Sequence, residues 1–195
     1  LTNQQIDQLH HRAAAWLMRN GRMDDAFNHL VSVGNWPGAA QLVESQLSML
    51  LNAEDYQGIK RRLGFFSESF IASRPGLLLM QLWIAHFGLR IQVILALIAK
   101  IQVLIDDALR ARKTGSNAPV GFEVIPLEVV QAHIWTQEAL VYFLTNQVDL
   151  AVPLARQAAK MLPENWQFVR GNAMVYYGLS YLMQGQYSQD RKSVV

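Results

Sequence analysis

The chain has 195 residues, 51% hydrophobic and 16% charged, with a formal charge of +2 and no cysteine. Such a composition belongs to a folded, core-rich chain and excludes disorder, and the missing cysteine excludes disulfides, thiolate metal sites and cysteine nucleophiles. Two short basic clusters, Lys60-Arg61-Arg62 and Arg110 with Arg112-Lys113, read as solvated helix ends, so no nucleic-acid footprint is present.

The chain opens at Leu1, already inside a helical pattern, and is expected to be a piece of a longer protein. Apolar residues recur at i, i+3, i+4 and i+7 along most of it, so the expected fold is all-α. Ile6, Leu9, Ala13, Trp16 and Leu17 mark a first helix, ended by Asn20-Gly21. Met23, Ala26, Phe27, Leu30 and Val31 mark a second, ended by Gly34. Pro37 suits the first turn of a third helix running to residue 52. A fourth spans residues 55–72 and ends at Ser73-Arg74-Pro75; a fifth runs from there to Phe87, and a sixth over 90–111.

The region 76–105 is the most apolar, but Gln81, His86, Arg90, Gln92, Lys100 and Gln102 interrupt it. Its longest clean run, 93–99, is too short to span a bilayer, so two buried helices are expected there. No signal peptide is visible, and the expectation is a cytoplasmic protein without membrane association. The stretch "RKTGSNAPVGFEVIP", residues 112–126, is the one long loop. Helices follow over 127–144, 148–162 and 164–183, Pro153 falling within the first two turns of the second of these, and Gly185 is expected to start another turn. The last six residues, "DRKSVV", break the pattern. Codons for them can spell a common sequencing adapter, so residues 190–195 are expected to be a non-native tail on a single helical domain of residues 1–189.

The turns inside successive helix pairs repeat. They centre on Gly21, near Glu54 or Asp55, and on Gly88, Asn146 and Gly185. The first three fit a helix-turn-helix unit of about 34 residues, the tetratricopeptide period. The later, longer step accommodates the 112–126 loop. In each turn a Gly or Asn is expected to take a positive φ at the helix C-cap; Gly34 plays this part between pairs. Asp24 and Asp25 favour the N-terminal dipole of the second helix. Ala26, Gly58 and Ala151 allow close approach within pairs, and Trp16, Trp83 and Tyr142 fill the gaps between them. The expected architecture is an open right-handed α-solenoid of such pairs, each burying its apolar faces against the next.

Reactive constellations are scarce. His10, His11 and His29 lack the i, i+4 spacing of a helical metal site, and His10 or His29 is better read as an inter-helix packing or hydrogen-bonding residue. His86 and His133 are single histidines on apolar helices, the usual setting of structural imidazoles. Glu123, Glu128 and Glu138 make no paired-carboxylate motif, and no GxSxG, HExxH or phosphate loop occurs. Neither an enzyme nor a resident cofactor or metal is expected.

The better candidates are polar and aromatic. If the first helix of each pair lines a concave face, Gln81, Gln131, Trp135, Glu138, Arg170 and Tyr177 share one groove, suited to a sugar, another small molecule or a peptide. Aromatics at helical spacing, here Trp135, Tyr142 and Tyr177, more often pack between helices, and that is the weightier alternative.

One segment is more specific. "LHHRAAAWLMRNGRMDDAFNHLVSVGNWPGAAQLVE", residues 9–44, resembles the region after the ATPase module in MalT-like, LuxR-type transcriptional regulators. The resemblance rests on Leu9, His10, Arg12, Ala13, Ala14, Trp16, Asn20, Gly21, Ala26, His29, Gly34, Trp36, Ala39 and Ala40. His11 and Asn35 stand where the family usually has Arg and Asp. The likeness continues loosely to residue 188.

It implies a tetratricopeptide-like arm that binds an effector or protein partner. The arm couples that partner to an ATPase module, the place of any ATP, and to a DNA-reading domain, both outside this chain. The chain itself has no GxxxxGK[ST] and no recognisable DNA-reading domain. The alternative is a general tetratricopeptide scaffold, standalone or attached to a kinase or cyclase.

Overall fold

In a computed structural model, residues 2–116 and 120–193 are described, the last eight by their backbone only. Among the described residues there are eleven helices and no strand. The chain begins with α1 (Asn3–Arg19), α2 (Met23–Ser32), α3 (Trp36–Ser45) and α4 (Leu47–Asn52). It continues with α5 (Tyr56–Leu63), α6 (Glu68–Ala72), α7 (Pro75–Phe87) and α8 (Ile91–Thr114). It ends with α9 (Leu127–Leu144), α10 (Val148–Met161) and α11 (Gln167–Ser193).

The expected third and fourth helices are each split. Gln46 interrupts the former, and residues 64–67 interrupt the latter, where Ser67 accepts from Phe70 N–H at 3.3 Å and starts α6. At the far end the turn expected at Gly185 does not form, because α11 runs through it. The 190–195 segment enters α11 as backbone; its side chains, and residues 194–195 altogether, lie outside the described residues.

One junction recurs. At Gly21, Gly34, Glu54, Leu89 and Asn146 a single residue takes positive φ, between 47° and 73°. The N–H of the following residue bonds five positions back, as from Arg22 to Leu17, Asp55 to Leu50, Arg90 to Ala85 and Gln147 to Tyr142. This satisfies carbonyls that a helix end leaves orphaned, and the same residue starts the next helix. Gly21, Glu54 and Leu89 stand 33 and 35 positions apart. Gly88 was expected to supply this conformation, but its φ is −84° and Leu89 takes the strained place. The turn's hydrogen bonds fix the geometry, and a leucine left 62% exposed tolerates it.

α7 is the hub, packing against α3, α5, α6, α8 and α9. Leu77, Leu78, Leu79, Met80, Leu82 and Trp83 are buried on it. Transfer of each such side chain from water stabilises the fold by roughly 1.5–3 kcal/mol before entropy is counted. Trp83 thus fills its expected gap, whereas Trp16, placed in the same role, is 52% exposed. α8 is not the buried helix expected either: Val93, Leu95, Val103 and Leu109 face outward. Ala26 and Ala151 are fully buried as expected. Gly58 has a more local reason: a Cβ there would collide with Asp55, whose carboxylate caps α5 by accepting from Gly58 N–H at 2.8 Å.

α11 packs on α9 and α10, and also on α4. Asn52 at the end of α4 donates to Asn165 O at 2.8 Å and accepts from Phe168 N–H at 2.9 Å. It therefore caps the start of α11 from more than a hundred residues away.

Candidate functional site

Several buried polar groups gather where α7, α9 and α11 meet. Trp83 Nε1–H donates to His133 Nδ1 at 2.9 Å. An indole nitrogen can only donate, so the neutral His133 ring carries its proton on Nε2. That atom is buried without a hydrogen-bond partner, and the ring meets Trp166 edge to face, 4.6 Å between centroids. Burial pushes the His133 pKa down to about 3.

One turn along α7, His86 Nδ1 lies 3.0 Å from Gln137 Oε1, and Tyr176 OH lies 3.4 Å from His86 Nε2. The amide oxygen can only accept, so Nδ1–H donates to it and Nε2 is left as an acceptor; the single proton of the Tyr176 phenol is directed at Asn172 Oδ1, 3.2 Å away, with His86 Nε2 the more distant alternative. Burial lowers the His86 pKa, the Gln137 bond opposing it, and burial raises Tyr176 to about 12. Gln137 Nε2 has no partner. These neutral, enclosed groups fix the register of three helices. The sequence flagged His86 and His133 as structural, but gave no sign that they face Gln137 and Trp83.

A second junction escaped the sequence altogether. Arg74 precedes α7 and grips Glu44 of α3 through three contacts of 2.6–3.1 Å. Both residues are buried. Burial raises the Glu44 pKa, against the opposing pull of Arg74. Of the expected 112–126 loop, residues 112–114 still belong to α8, and the described part that follows residue 119 packs on the fold. Its Ile125 is buried, Glu123 lies 3.8 Å from Arg74, and Gly121 adopts φ 107° with its backbone against Pro75. Arg62 likewise is no solvated helix end: it is buried and pairs with Asp24, adding an inter-helix contact to the dipole role of that aspartate.

His10 and His29 meet as inter-helix partners, Nδ1 to Nδ1 at 2.9 Å. Among the described residues no cluster of three His, Cys, Asp or Glu is placed to hold a metal, and no helix is long and apolar enough to cross a membrane.

The six proposed groove residues divide. Gln131, Trp135 and Glu138 lie half-buried on one face of α9, and burial raises the Glu138 pKa. Arg170 is exposed on the neighbouring α11, and Tyr177 is half-buried and stacks on Tyr181 at 6.0 Å. Trp135 and Tyr177 both pack against the core. Gln81 is directed elsewhere. Its amide donates to Glu68 at 3.4 Å, and it lines a hollow between α5, α7 and α8 that none of the other five touches.

No family model matches the chain, and no curated protein or solved structure matches it.

Proposed function

We propose that the chain is a non-catalytic interaction arm, built of tetratricopeptide-like helix pairs, from a MalT-like ATP-dependent transcriptional regulator. The observation that carries this reading is the recurring turn at Gly21, Glu54 and Leu89, with one hydrogen-bond pattern and a spacing of 33 and 35 residues. The resemblance of residues 9–44 supplies the parent. In this reading the half-buried face of α9 with Arg170 and Tyr177 of α11 takes an effector or a protein segment. Binding biases the ATPase module between its closed and oligomeric states, which demands unequal affinity for the two.

Tryptophan-fluorescence titration against oligosaccharides and peptides tests the face. A saturable response that Trp135→Phe and Tyr177→Ala both weaken supports it; a response indifferent to both substitutions overturns it. The runner-up is a general protein-binding scaffold, standalone or attached to a kinase or cyclase.

A further inference from the structure

The hollow between α5, α7 and α8 lies outside the interaction face just described. Its volume is about 500 Å³, within the range of small-molecule sites. Ile84, Val93, Ala96 and Leu97 line it with apolar surface, together with two cations ten residues apart, Arg90 at the N-cap of α8 and Lys100 within it. At 1.5 Å per residue that separation is about 15 Å along the axis. No carboxylate is among the lining residues, and the acid that touches one of them, Glu68, accepts from the Gln81 amide at 3.4 Å. Neither Arg90 nor Lys100 has an ion-pair partner among the described residues.

α8 also begins without a side-chain cap and without an acid in its first turn. Its first N–H groups and the positive end of its dipole therefore favour an anion on the Arg90 side. An apolar trough lined also by two cations selects against neutral and cationic ligands of the same shape.

We propose that this hollow binds an amphiphilic carboxylate, its alkyl chain along Val93 and Leu97 and its head at Arg90. Nothing in the interaction face on α9 and α11 is needed for it.

Isothermal titration with decanoate below its micelle concentration tests the proposal, with decyltrimethylammonium and decanol as shape controls. The expected result is saturable 1:1 binding of decanoate, roughly tenfold tighter than decanol, the difference one charge-assisted contact makes. Arg90→Gln removes that advantage and leaves decanol unchanged. Ala96→Trp, at an exposed position on α8, fills the trough and abolishes binding while the helical circular-dichroism signal is retained. Equal binding of decanoate and decyltrimethylammonium overturns the proposal, as does undiminished binding by Ala96→Trp. Absence of saturation overturns it too, including the case where an acidic amphipathic peptide binds and decanoate does not.

Discussion

Trp83 and His133 are joined across the α7–α9 interface by one buried hydrogen bond, indole Nε1 to imidazole Nδ1, 2.9 Å long. The bond requires a neutral imidazole, and a proton added at Nδ1 would face the indole N–H. The folded-state pKa is depressed from 6.5 to about 3, so the unfolded chain takes up a proton that the folded chain refuses. The stability held above pH 6.5 is therefore lost as pH falls towards 3, by at most about 1.4 kcal/mol per pH unit for one histidine. His86 acts in the same sense. Glu44 and Glu138, raised by burial, act in the opposite sense, their contribution being lost as pH rises through their folded values. A comparison with His133→Leu isolates the histidine. Urea unfolding should find this variant less stable at pH 7, by about 1–3 kcal/mol for the orphaned indole N–H, with the gap narrowing at pH 5. A constant gap contradicts the assignment.

The Glu44–Arg74 pair predicts a non-additive cycle. Glu44→Leu alone leaves a buried guanidinium with only the longer contact to Glu123 and should cost about 3 kcal/mol, and Arg74→Met alone, which strands the buried Glu44 carboxylate, about 3–5 kcal/mol. The double variant should cost far less than the two together, since no buried charge is left unpaired. Additive losses by chemical denaturation would show that the two do not act as a unit.

The recurring turn separates two glycines that look alike in sequence. Gly21 has φ +73° and open space around it, so Gly21→Ala meets backbone strain alone and should destabilise by about 1 kcal/mol. Gly88 has φ −84°, and a Cβ there meets only the flexible Arg90 side chain, at 3.3 Å. Gly88→Ala should be neutral or stabilise by up to about 1 kcal/mol through the unfolded state. Equal losses in thermal melts would return the positive-φ role to Gly88.

Local signals were legible: Gly21, Gly34 and Asn146 ended helices as their chemistry requires, Pro37 and Pro75 lay in first turns, and the 3.6-residue period placed most of the helices. Partners were not legible, because a helical period says which face is apolar but not what covers it. Nothing in the neighbourhood of Glu44 announces Arg74 thirty positions on, and Asn52 gives no hint that it caps α11. Gln81 stands apart from the rest of the groove set for the same reason: it lies on α7 as expected, but its neighbours are Glu68 of α6 and the hollow beside α8.

Asn52 offers a local test of that long-range cap. Asn52→Ala removes the acceptor for Phe168 N–H and should cost about 1 kcal/mol. Hydrogen exchange at the start of α11 should quicken roughly fivefold, the population change that energy implies, with α1 and α2 unaltered. Unchanged exchange at Phe168 would mean that the amide needs no help from α4.

Reading the gene on both sides of this segment tests the interaction arm itself. An interaction arm of a MalT-like regulator predicts an in-frame GxxxxGK[ST] motif before Leu1 and a helix-turn-helix DNA-reading domain after the helical region. A kinase or cyclase domain in their place, or neither motif in the full reading frame, would contradict it.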